Sequence, residues 1–416
     1  MEKVILAGLR LPGIKKEEFE NSLLELSRLA DTAGAKVEQK IIQNRPKMDP
    51  AYLIGSGKAK DIKEIVEKNG IHTVIFENDL KPAQQKNLEE LINAKIIDRT
   101  RLILDIFAKR ARSREGILQV ERAQLSYILP RLSEKGIMLD SQAGGIGTRG
   151  PGERKLETDQ RVIRYKIANL DRQIEKIKER RSVLRQGRIE SGQPLIAIVG
   201  YTNSGKSTLL NKLSQKHDIY ADNKLFATLD PTTRKVKLPG GRFVFFTDTV
   251  GFINKLPHTL IAAFASTLEE TQKANCLLHI VDVAHPDYKD QIKIVVNVLK
   301  ELGAEDSPLV CAYNKCDLLP LWKKNKNRKG DSILISAKTG EGIEELLKKI
   351  EKIVTPKLFS HRFMLPYRDS KCLSHIYKWA VIKEQKYTEK GINLHIECTP
   401  KYWKKISNLL LLKEKN

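Results

Sequence analysis

The stretch Gly200-Tyr-Thr-Asn-Ser-Gly-Lys-Ser207 decides the fold of the central part of this chain. It follows the apolar run Leu195–Val199, which is typical of a buried strand, and it precedes the amphipathic stretch Thr208–Leu213. A GxxxxGK[ST] motif between a strand and a helix predicts a loop whose backbone N–H groups surround phosphates. In such a loop Lys206 neutralises phosphate oxygens and the Ser207 hydroxyl can bind Mg²⁺. The stretch therefore predicts an α/β domain of the P-loop class.

Three further motifs indicate which base this domain binds. Asp248-Thr-Val-Gly251 supplies a carboxylate for the metal and a glycine N–H for the γ-phosphate. The aspartate of Asn314-Lys-Cys-Asp317 can accept hydrogen bonds from guanine N1 and N2, a donor pair that adenine lacks, and a backbone N–H of Ser336-Ala-Lys338 can reach guanine O6. Each motif follows a predicted strand, and parallel sheets bind ligands at the carboxyl ends of their strands. The four motifs together predict a guanine nucleotide site.

The composition indicates a cytoplasmic protein with a polyanionic partner. The 416 residues are enough for two to four domains, and Lys plus Arg exceed Asp plus Glu by 23. This charge favours binding to nucleic acid. The five cysteines form no CxxC pair, so neither a zinc ribbon nor a disulfide framework is predicted. We expect no transmembrane segment, because no apolar run is long enough to span a bilayer.

The regions before the P-loop predict two further structural units. In residues 1–98, β-type runs alternate with amphipathic stretches, which favours a small α/β domain with a largely parallel sheet. Within it, Gly55-Ser-Gly-Lys58 resembles part of a phosphate loop. An ordinary loop before a helix explains it better, but a second nucleotide site, for ATP, stays open.

Residues 99–190 carry heptad-like apolar seams, which predict two long helices in an antiparallel hairpin. This segment holds 22 basic and 12 acidic residues. Between the seams, residues 134–157 predict a long glycine-rich tip loop around Ala143–Lys155. A loop that merely turns the chain is the alternative, but long loops in compact proteins are usually functional or disordered, and the basic side chains here can meet phosphates. We therefore expect the tip to contact RNA through Gly144, Gly145, Gly147, Arg149, Gly150, Gly152, Arg154 and Lys155.

The third predicted unit is the P-loop domain, residues 191–355, with strands and helices in alternation. The remaining residues, 356–416, hold 13 basic and 5 acidic residues and predict a small α+β domain.

Several motifs resemble those of the HflX family of GTPases. They are GYTNSGKST, Leu225-Phe-Ala-Thr-Leu-Asp-Pro-Thr232, Asp248-Thr-Val-Gly-Phe-Ile253, Gly144-Gly-Ile-Gly-Thr-Arg-Gly-Pro-Gly-Glu153 and Leu156-Glu-Thr-Asp159. The resemblance covers about Val4 to Val354 and is weaker beyond. It implies a GTPase that binds the large ribosomal subunit, places the hairpin loop towards the peptidyl-transferase region, and splits or rescues stalled ribosomes. We expect the free protein to be a monomer.

The resemblance also completes the set of site residues. It selects Thr228 as the threonine that closes over the γ-phosphate and Mg²⁺, with Thr232 and Thr233 as rivals. The residues expected to bind GTP or GDP are Gly200, Tyr201, Thr202, Asn203, Ser204, Gly205, Lys206, Ser207, Thr208, Thr228, Asp248, Gly251, Asn314, Lys315, Asp317, Ser336, Ala337 and Lys338. The Mg²⁺ ligands would be Ser207, Thr228 and Asp248, and the catalytic residues Lys206, Thr228, Asp248, Gly251 and Asn203.

One position departs from Ras-like sites. Phe252 follows Gly251, where a glutamine would orient the attacking water. We expect slow intrinsic hydrolysis and an external group that accelerates it. Similarity to potassium-stimulated GTPases, which carry an asparagine at the position of Asn203, implies that K⁺ takes part of this role.

The sequence is also compatible with two other functions. A signalling or scaffold GTPase could use the basic hairpin to bind a protein partner or an anionic membrane surface, which would give peripheral membrane association. An RNA-remodelling ATPase could be driven from the N-terminal domain, and its ATP turnover would then survive the loss of Lys206.

Overall fold

The computed structural model describes residues 1–140, 151–190, 193–214, 225–226, 228–255, 270–320, 333–355, 359–398 and 400–411. For residues 133–140, 151–155 and 182–190 only the backbone is described. The chain divides into two compact units, Met1–Lys348 and Lys349–Asn416. None of the helices in the described ranges combines the length and the apolar character that a bilayer span requires.

The N-terminal part of the first unit is a four-stranded parallel sheet with helices, as predicted. Its strands have the order β2-β1-β3-β4. The central strand β1 is buried over most of its length, as expected for a parallel sheet that helices cover on both faces. The elements are β1 (Glu2–Arg10), α1 (Lys16–Ala33), β2 (Ala35–Asn44), α2 (Ser56–Asn69), β3 (Thr73–Phe76), α3 (Pro82–Ile92), β4 (Lys95–Asp98) and α4 (Arg99–Arg110).

The predicted hairpin is present, formed by α5 (Arg114–Asp140) and α6 (Pro151–Glu190). The helices are antiparallel, since Arg122 Nε lies 3.0 Å from Asp171 Oδ1 near the middle and Arg181 Nη2 lies 2.9 Å from Glu115 Oε2 at the base. The apolar seam of α6 is buried or half-buried along Ile163, Ile167, Leu170, Ile174 and Ile177. Periodicity therefore predicted the pairing face correctly.

Two details of the hairpin prediction are wrong. The first seam, predicted to run from Phe107 and Ala111 to Leu132, does not lie in one helix, because α4 ends at Arg110 and α5 begins only at Arg114. The tip loop is also shorter than residues 134–157, because α5 continues to Asp140 and α6 begins at Pro151. Proline is favoured in the first turn of a helix, where its missing N–H costs nothing, so Pro151 starts α6 rather than excluding it.

The P-loop domain contains a six-stranded sheet in the order β10-β9-β8-β5-β7-β6. All neighbouring pairs are parallel except β6 with β7, which form an antiparallel hairpin, as the turn sequence Pro239-Gly-Gly between them predicts. The elements are β5 (Leu195–Gly200), α7 (Lys206–Ser214), β6 (Thr232–Lys237), β7 (Phe243–Asp248), β8 (Cys276–Asp282), α8 (Tyr288–Glu301), β9 (Leu309–Asn314), β10 (Ile333–Leu334) and α9 (Ile343–Val354).

One apolar core joins the N-terminal domain to the P-loop domain. Leu102 and Phe107 of α4 belong to the same buried cluster as Leu225, Phe226 and Phe252, which lie in loops around the nucleotide motifs. The Phe107 and Phe226 rings pack edge to face, with centroids 4.6 Å apart. Because burial of shared apolar surface favours association, the two domains form one unit.

The second unit is the small α+β domain expected from the sequence. Its antiparallel sheet has the order β11-β13-β12, and helices cover one face through a core that includes Leu394, Ile376 and Ile406. The elements that complete the chain are β11 (Phe359–Leu365), α10 (Leu373–Trp379), β12 (Val381–Thr388), β13 (Gly391–Cys398) and α11 (Pro400–Leu411).

Candidate nucleotide-binding site

The four predicted motifs meet around one cavity of about 410 Å³ at the carboxyl ends of β5, β7 and β9. A volume of this size accommodates a small-molecule ligand. Its lining residues are Thr202, Asn203, Gly205, Lys206, Ser207, Thr208, Phe226, Thr228, Thr249, Gly251, Asn314, Lys315, Asp317, Leu318, Ala337 and Lys338.

The backbone of the P-loop needs its glycines. Gly205 has φ +96°, and a Cβ there would lie 2.2 Å from Asn314 Nδ2. At Gly200 an added Cβ would lie 2.4 Å from the carbonyl oxygen of Ile280 on the neighbouring strand. Asn203 also has a left-handed backbone, with φ +60°, which asparagine adopts more readily than most residues. The loop can therefore curl with its backbone close to a bound phosphate.

Lys206 is buried beneath this loop. Its Nζ lies 3.1 Å from the carbonyl oxygen of Gly200 and 2.8 Å from that of Tyr201. Burial lowers the pKa of Lys206 to about 8, although the nearby Asp248 carboxylate favours the protonated form. A bound phosphate would add negative charge beside Lys206 and stabilise its protonated form, so this buried lysine is suited to bind an anion.

Three oxygen-bearing side chains meet beside Lys206. Ser207 Oγ lies 2.6 Å from Thr228 Oγ1 and 2.6 Å from Asp248 Oδ2. Asp248 is fully buried, and within the described residues its Oδ1 has no hydrogen-bond partner. Burial raises the pKa of Asp248, partly offset by Lys206 and by hydrogen bonds. Hard oxygen donors around an unpaired buried carboxylate oxygen fit Mg²⁺.

The geometry separates Thr228 from its two rivals. Thr232 and Thr233 lie in strand β6, where they pair with Asp248 and Thr247 of β7. The hydroxyl of Thr233 lies 2.8 Å from that of Thr247, within the sheet. Neither rival lines the cavity, whereas Thr228 does.

Gly251 and Phe252 lie against the P-loop. A Cβ on Gly251 would lie 2.9 Å from Thr202 Cγ2 and 3.0 Å from Lys206 Nζ, so only glycine fits this close approach. The Phe252 N–H donates to the carbonyl of Gly200 over 3.1 Å, and its own carbonyl accepts from the Thr202 N–H over 2.7 Å. The Phe252 side chain is 2% exposed and belongs to the shared core. It therefore does not reach the cavity.

The base-recognition motifs are held together by Asn314. Its Nδ2 donates to the carbonyl of Ser204 over 2.7 Å, and its Oδ1 accepts from the Ala337 N–H over 2.9 Å. Asn314 thus links the P-loop to the Ser336–Lys338 turn. Asp317 lies in the 3-10 turn Cys316–Leu318 and lines the cavity.

Most of the predicted nucleotide residues line the cavity, with five exceptions. The cavity is not lined by Gly200, Tyr201, Ser204, Asp248 or Ser336. Sequence reasoning missed three lining residues, Phe226, Thr249 and Leu318. Phe226 and Thr249 lie within quoted motif segments and Leu318 directly follows one, so position in or beside a motif was the available signal.

The predicted RNA-contacting residues fall into two groups. Gly144, Gly145, Gly147, Arg149 and Gly150 lie outside the described residues. The backbone of Gly152, Arg154 and Lys155 is helical, in the first turns of α6.

The second nucleotide motif of the N-terminal domain starts a helix. Gly55 precedes α2, and its N–H donates to Gln43 Oε1 over 2.9 Å. Lys58 Nζ lies 2.6 Å from Asp61 Oδ2, an ion pair within the same helix. These contacts agree with the simpler explanation of Gly55–Lys58.

Comparisons with known proteins match all four parts of the chain. Four family profiles match in sequence order: GTP-binding GTPase N-terminal (20–108), GTP-binding GTPase Middle Region (110–188), 50S ribosome-binding GTPase (195–315) and HflX C-terminal domain (321–410). GTPase HflX of Caldanaerobacter subterraneus is 46% identical over 99% of this chain and 94% of its own length.

The chain belongs to the HflX family. GTPase HflX of Escherichia coli is 39% identical, over 92% of this chain and 91% of its own. Among solved structures, a GTP-binding protein of Sulfolobus solfataricus in complex with GDP is 26% identical, with a TM-score of 0.44, and covers 85% of this chain and 99% of its own. The family profiles and the HflX relatives identify this chain as a GTP-binding P-loop protein and a GTP hydrolase, as the motifs predicted.

Proposed function

We propose that this GTPase is a cytoplasmic, ribosome-associated switch. In its GTP form it binds the large ribosomal subunit and splits or rescues stalled ribosomes, and hydrolysis releases it. The glycine-rich tip of the hairpin, with Arg149, Arg154 and Lys155, contacts rRNA.

One observation carries the proposal: the segment that forms the hairpin and its tip, residues 99–190, holds 22 basic and 12 acidic residues. On the described part of α6 six basic side chains are exposed, Arg161, Arg164, Lys166, Arg172, Lys176 and Arg180, beside five exposed acidic ones, Glu157, Asp159, Asp171, Glu175 and Glu179. Basic side chains that neutralise phosphates dominate the affinity of proteins for nucleic acids. The family profile described as a 50S ribosome-binding GTPase, which matches residues 195–315, supports the large subunit as the source of that nucleic acid.

At the nucleotide, each motif has a defined task. Asp317 accepts the two guanine donors, and a backbone N–H of the Ser336–Lys338 turn, other than that of Ala337, reaches O6. Lys206 and the P-loop N–H groups hold the phosphates, while the Gly251 N–H detects the γ-phosphate. Ser207, Thr228 and Asp248 would hold Mg²⁺, which when bound neutralises charge on the phosphate oxygens.

Hydrolysis in the free protein is slow, because no side chain at position 252 can orient water. The Phe252 ring is buried in the shared core and has no hydrogen-bonding group. Acceleration therefore comes from a group on the ribosomal subunit, with K⁺ near Asn203 as a further contributor. A group supplied in trans can raise the rate by roughly 10³–10⁵.

The test combines GTP turnover with ribosome splitting. Large subunits should accelerate hydrolysis by the purified protein, and light scattering should report GTP-dependent splitting of intact ribosomes. Replacing Arg149, Arg154 and Lys155 by alanine should leave nucleotide affinity unchanged but weaken subunit binding. It should also reduce the salt slope of that binding by up to about three units.

A matched control removes the same charge from Lys16, Lys63 and Lys293, which form ion pairs with acidic residues on the same helices. This variant should bind subunits like the wild type. Equal turnover with and without subunits would contradict the external trigger, and normal splitting by the tip variant would show that the tip is a passive connector.

A further inference from the structure

Asp230 connects the Thr228 loop to the base of the hairpin. Its Oδ2 accepts the backbone N–H of Arg112 over 2.9 Å and that of Ser113 over 2.7 Å. Its Oδ1 accepts the Ser113 hydroxyl. Asp230 follows Thr228 by two residues, so one short segment contacts both the nucleotide cavity and the N-terminus of α5.

The start of α5 is shaped to receive this carboxylate. The Arg112 and Ser113 N–H groups lie in the turn that leads into α5, beside the helix N-terminus, whose dipole favours negative charge. Ser113 Oγ accepts the N–H of Gly116 over 2.9 Å while its proton is donated to Asp230. A Cβ on Gly116 would lie 2.3 Å from Asp230 Oδ1, so a larger residue at position 116 would displace the carboxylate.

The residues of the segment that precede Thr228 contact the N-terminal domain. Phe226 lines the nucleotide cavity and packs against Phe107 of α4. The Leu225 N–H donates to Thr32 Oγ1 over 3.2 Å, and Leu229 is 2% exposed. The Thr228 hydroxyl is thus held 2.6 Å from Ser207 Oγ by a segment whose other contacts lie on the N-terminal domain and the hairpin.

We propose that Asp230 is a positioning residue, which holds Thr228 ready for the γ-phosphate by docking on the N-terminus of α5. The inference rests on the proposed contact of Thr228 with the γ-phosphate and Mg²⁺. Coupling between two sites is reciprocal, so a γ-phosphate that orders Thr228 also strengthens the contact of Asp230 with α5. The nucleotide state is thereby transmitted to the base of the hairpin.

The test uses the full-length protein and compares the affinities for GDP and for a non-hydrolysable GTP analogue with Mg²⁺. Asp230→Ala should weaken binding of the analogue about tenfold, the scale of a lost charge-assisted hydrogen bond, and leave GDP binding unchanged. Asp230→Asn should restore part of the difference, because its amide oxygen can still accept the N–H groups of Arg112 and Ser113.

Gly116→Ala gives an independent perturbation from the other side of the contact. Alanine raises helix propensity, so this variant should fold, yet its methyl group should displace Asp230 and reproduce the loss of GTP preference. Hydrogen exchange over residues 110–117 should be slower with the GTP analogue than with GDP in the wild type. This difference should disappear in Asp230→Ala.

Parallel losses of GDP and GTP-analogue affinity, or unchanged affinities in both variants, would overturn the role of Asp230. Thr228→Ala distinguishes the two levels of the proposal. If it abolishes the preference for GTP while Asp230→Ala does not, only the coupling is wrong. If Thr228→Ala leaves the preference intact, the proposed contact of Thr228 is wrong as well, and the coupling with it.

Discussion

Replacing Arg99 by methionine should lower the free energy of unfolding by about 3–5 kcal/mol, the usual result of removing one partner from a buried ion pair. The Arg99 side chain is 2% exposed, and its Nη1 lies 2.9 Å from Glu77 Oε2, whose side chain is fully buried. Its Nη2 contacts Glu25 and donates to the carbonyl of Asn254 over 3.0 Å. Burial lowers the pKa of Arg99, but the Glu77 and Glu25 carboxylates more than offset this and raise it.

The expected loss of stability follows from the buried Glu77 carboxylate, which Arg99→Met leaves without its arginine partner. Glu77 would keep only Ser22 and the half-exposed Lys255, at 3.0 Å, as polar partners among the described contacts. Adding Glu77→Gln to Arg99→Met should recover part of the loss, because a buried amide costs less than a buried charge. Unfolding in urea, followed by circular dichroism, measures all four members of this double-mutant cycle.

A neighbouring arginine provides the control. Arg101 forms a partly exposed ion pair with Asp105 at 3.1 Å on the same helix, so Arg101→Met should cost under about 1 kcal/mol. If Arg99→Met costs no more than Arg101→Met, or if the effects of Arg99→Met and Glu77→Gln are additive, the buried network does not stabilise the joint between the domains.

Three further outcomes are expected. Asp317→Asn should weaken GTP binding and favour xanthosine triphosphate, by up to about 10⁴–10⁵ in relative preference, and unchanged GTP affinity would contradict the assignment. Because the pKa of Lys206 in the free protein is about 8 and phosphates favour its protonated form, GTP binding at pH 8 should take up about half a proton and weaken as the pH rises further. Calorimetry in two buffers of different ionisation enthalpy measures the uptake, which Lys206→Arg should abolish. Phe252→Gln should destabilise the protein by about 3 kcal/mol without accelerating hydrolysis, since the side chain lies in the core; a faster rate in a phosphate-release assay would refute this placement.

Local sequence signals predicted most of the nucleotide site. Each motif follows an apolar strand, and the chain order of parallel strands brings their carboxyl ends to one edge. Spacing alone did not separate Thr228 from Thr232 and Thr233, because all three lie in a short segment before or within β6. The structure separates them, since the Thr233 hydroxyl bonds to Thr247 within the sheet and neither Thr232 nor Thr233 lines the cavity, whereas Thr228 does.

The contacts between domains could not be predicted in this way. Glu25, Glu77 and Arg99 are far apart in the sequence, and each is equally compatible with a solvated helix or loop. Their meeting with Tyr201 and Asn254 depends on how the N-terminal domain packs against the P-loop domain. Tyr201 Oη lies 2.5 Å from Glu25 Oε1 and accepts the Asn254 N–H over 2.8 Å. No periodicity within either domain carries that information.

The bounds of the tip loop were predicted wrongly for a different reason. Glycine and proline in residues 143–155 predicted a loop, but proline, although it disrupts the interior of a helix, is favoured at the first helical position. Helix α6 therefore begins at Pro151. The apolar seam identified the paired faces because it records contacts that repeat along both helices.

The most direct test of the ribosome-bound switch is co-sedimentation of the protein with purified large ribosomal subunits. The account predicts that the wild type pellets with subunits in the presence of a non-hydrolysable GTP analogue and stays in the supernatant with GDP. The Asp317→Asn variant should pellet only with the corresponding xanthosine analogue, which ties binding to this nucleotide site. Pelleting that is the same with GDP and with the GTP analogue, or no pelleting with either, would contradict the central claim.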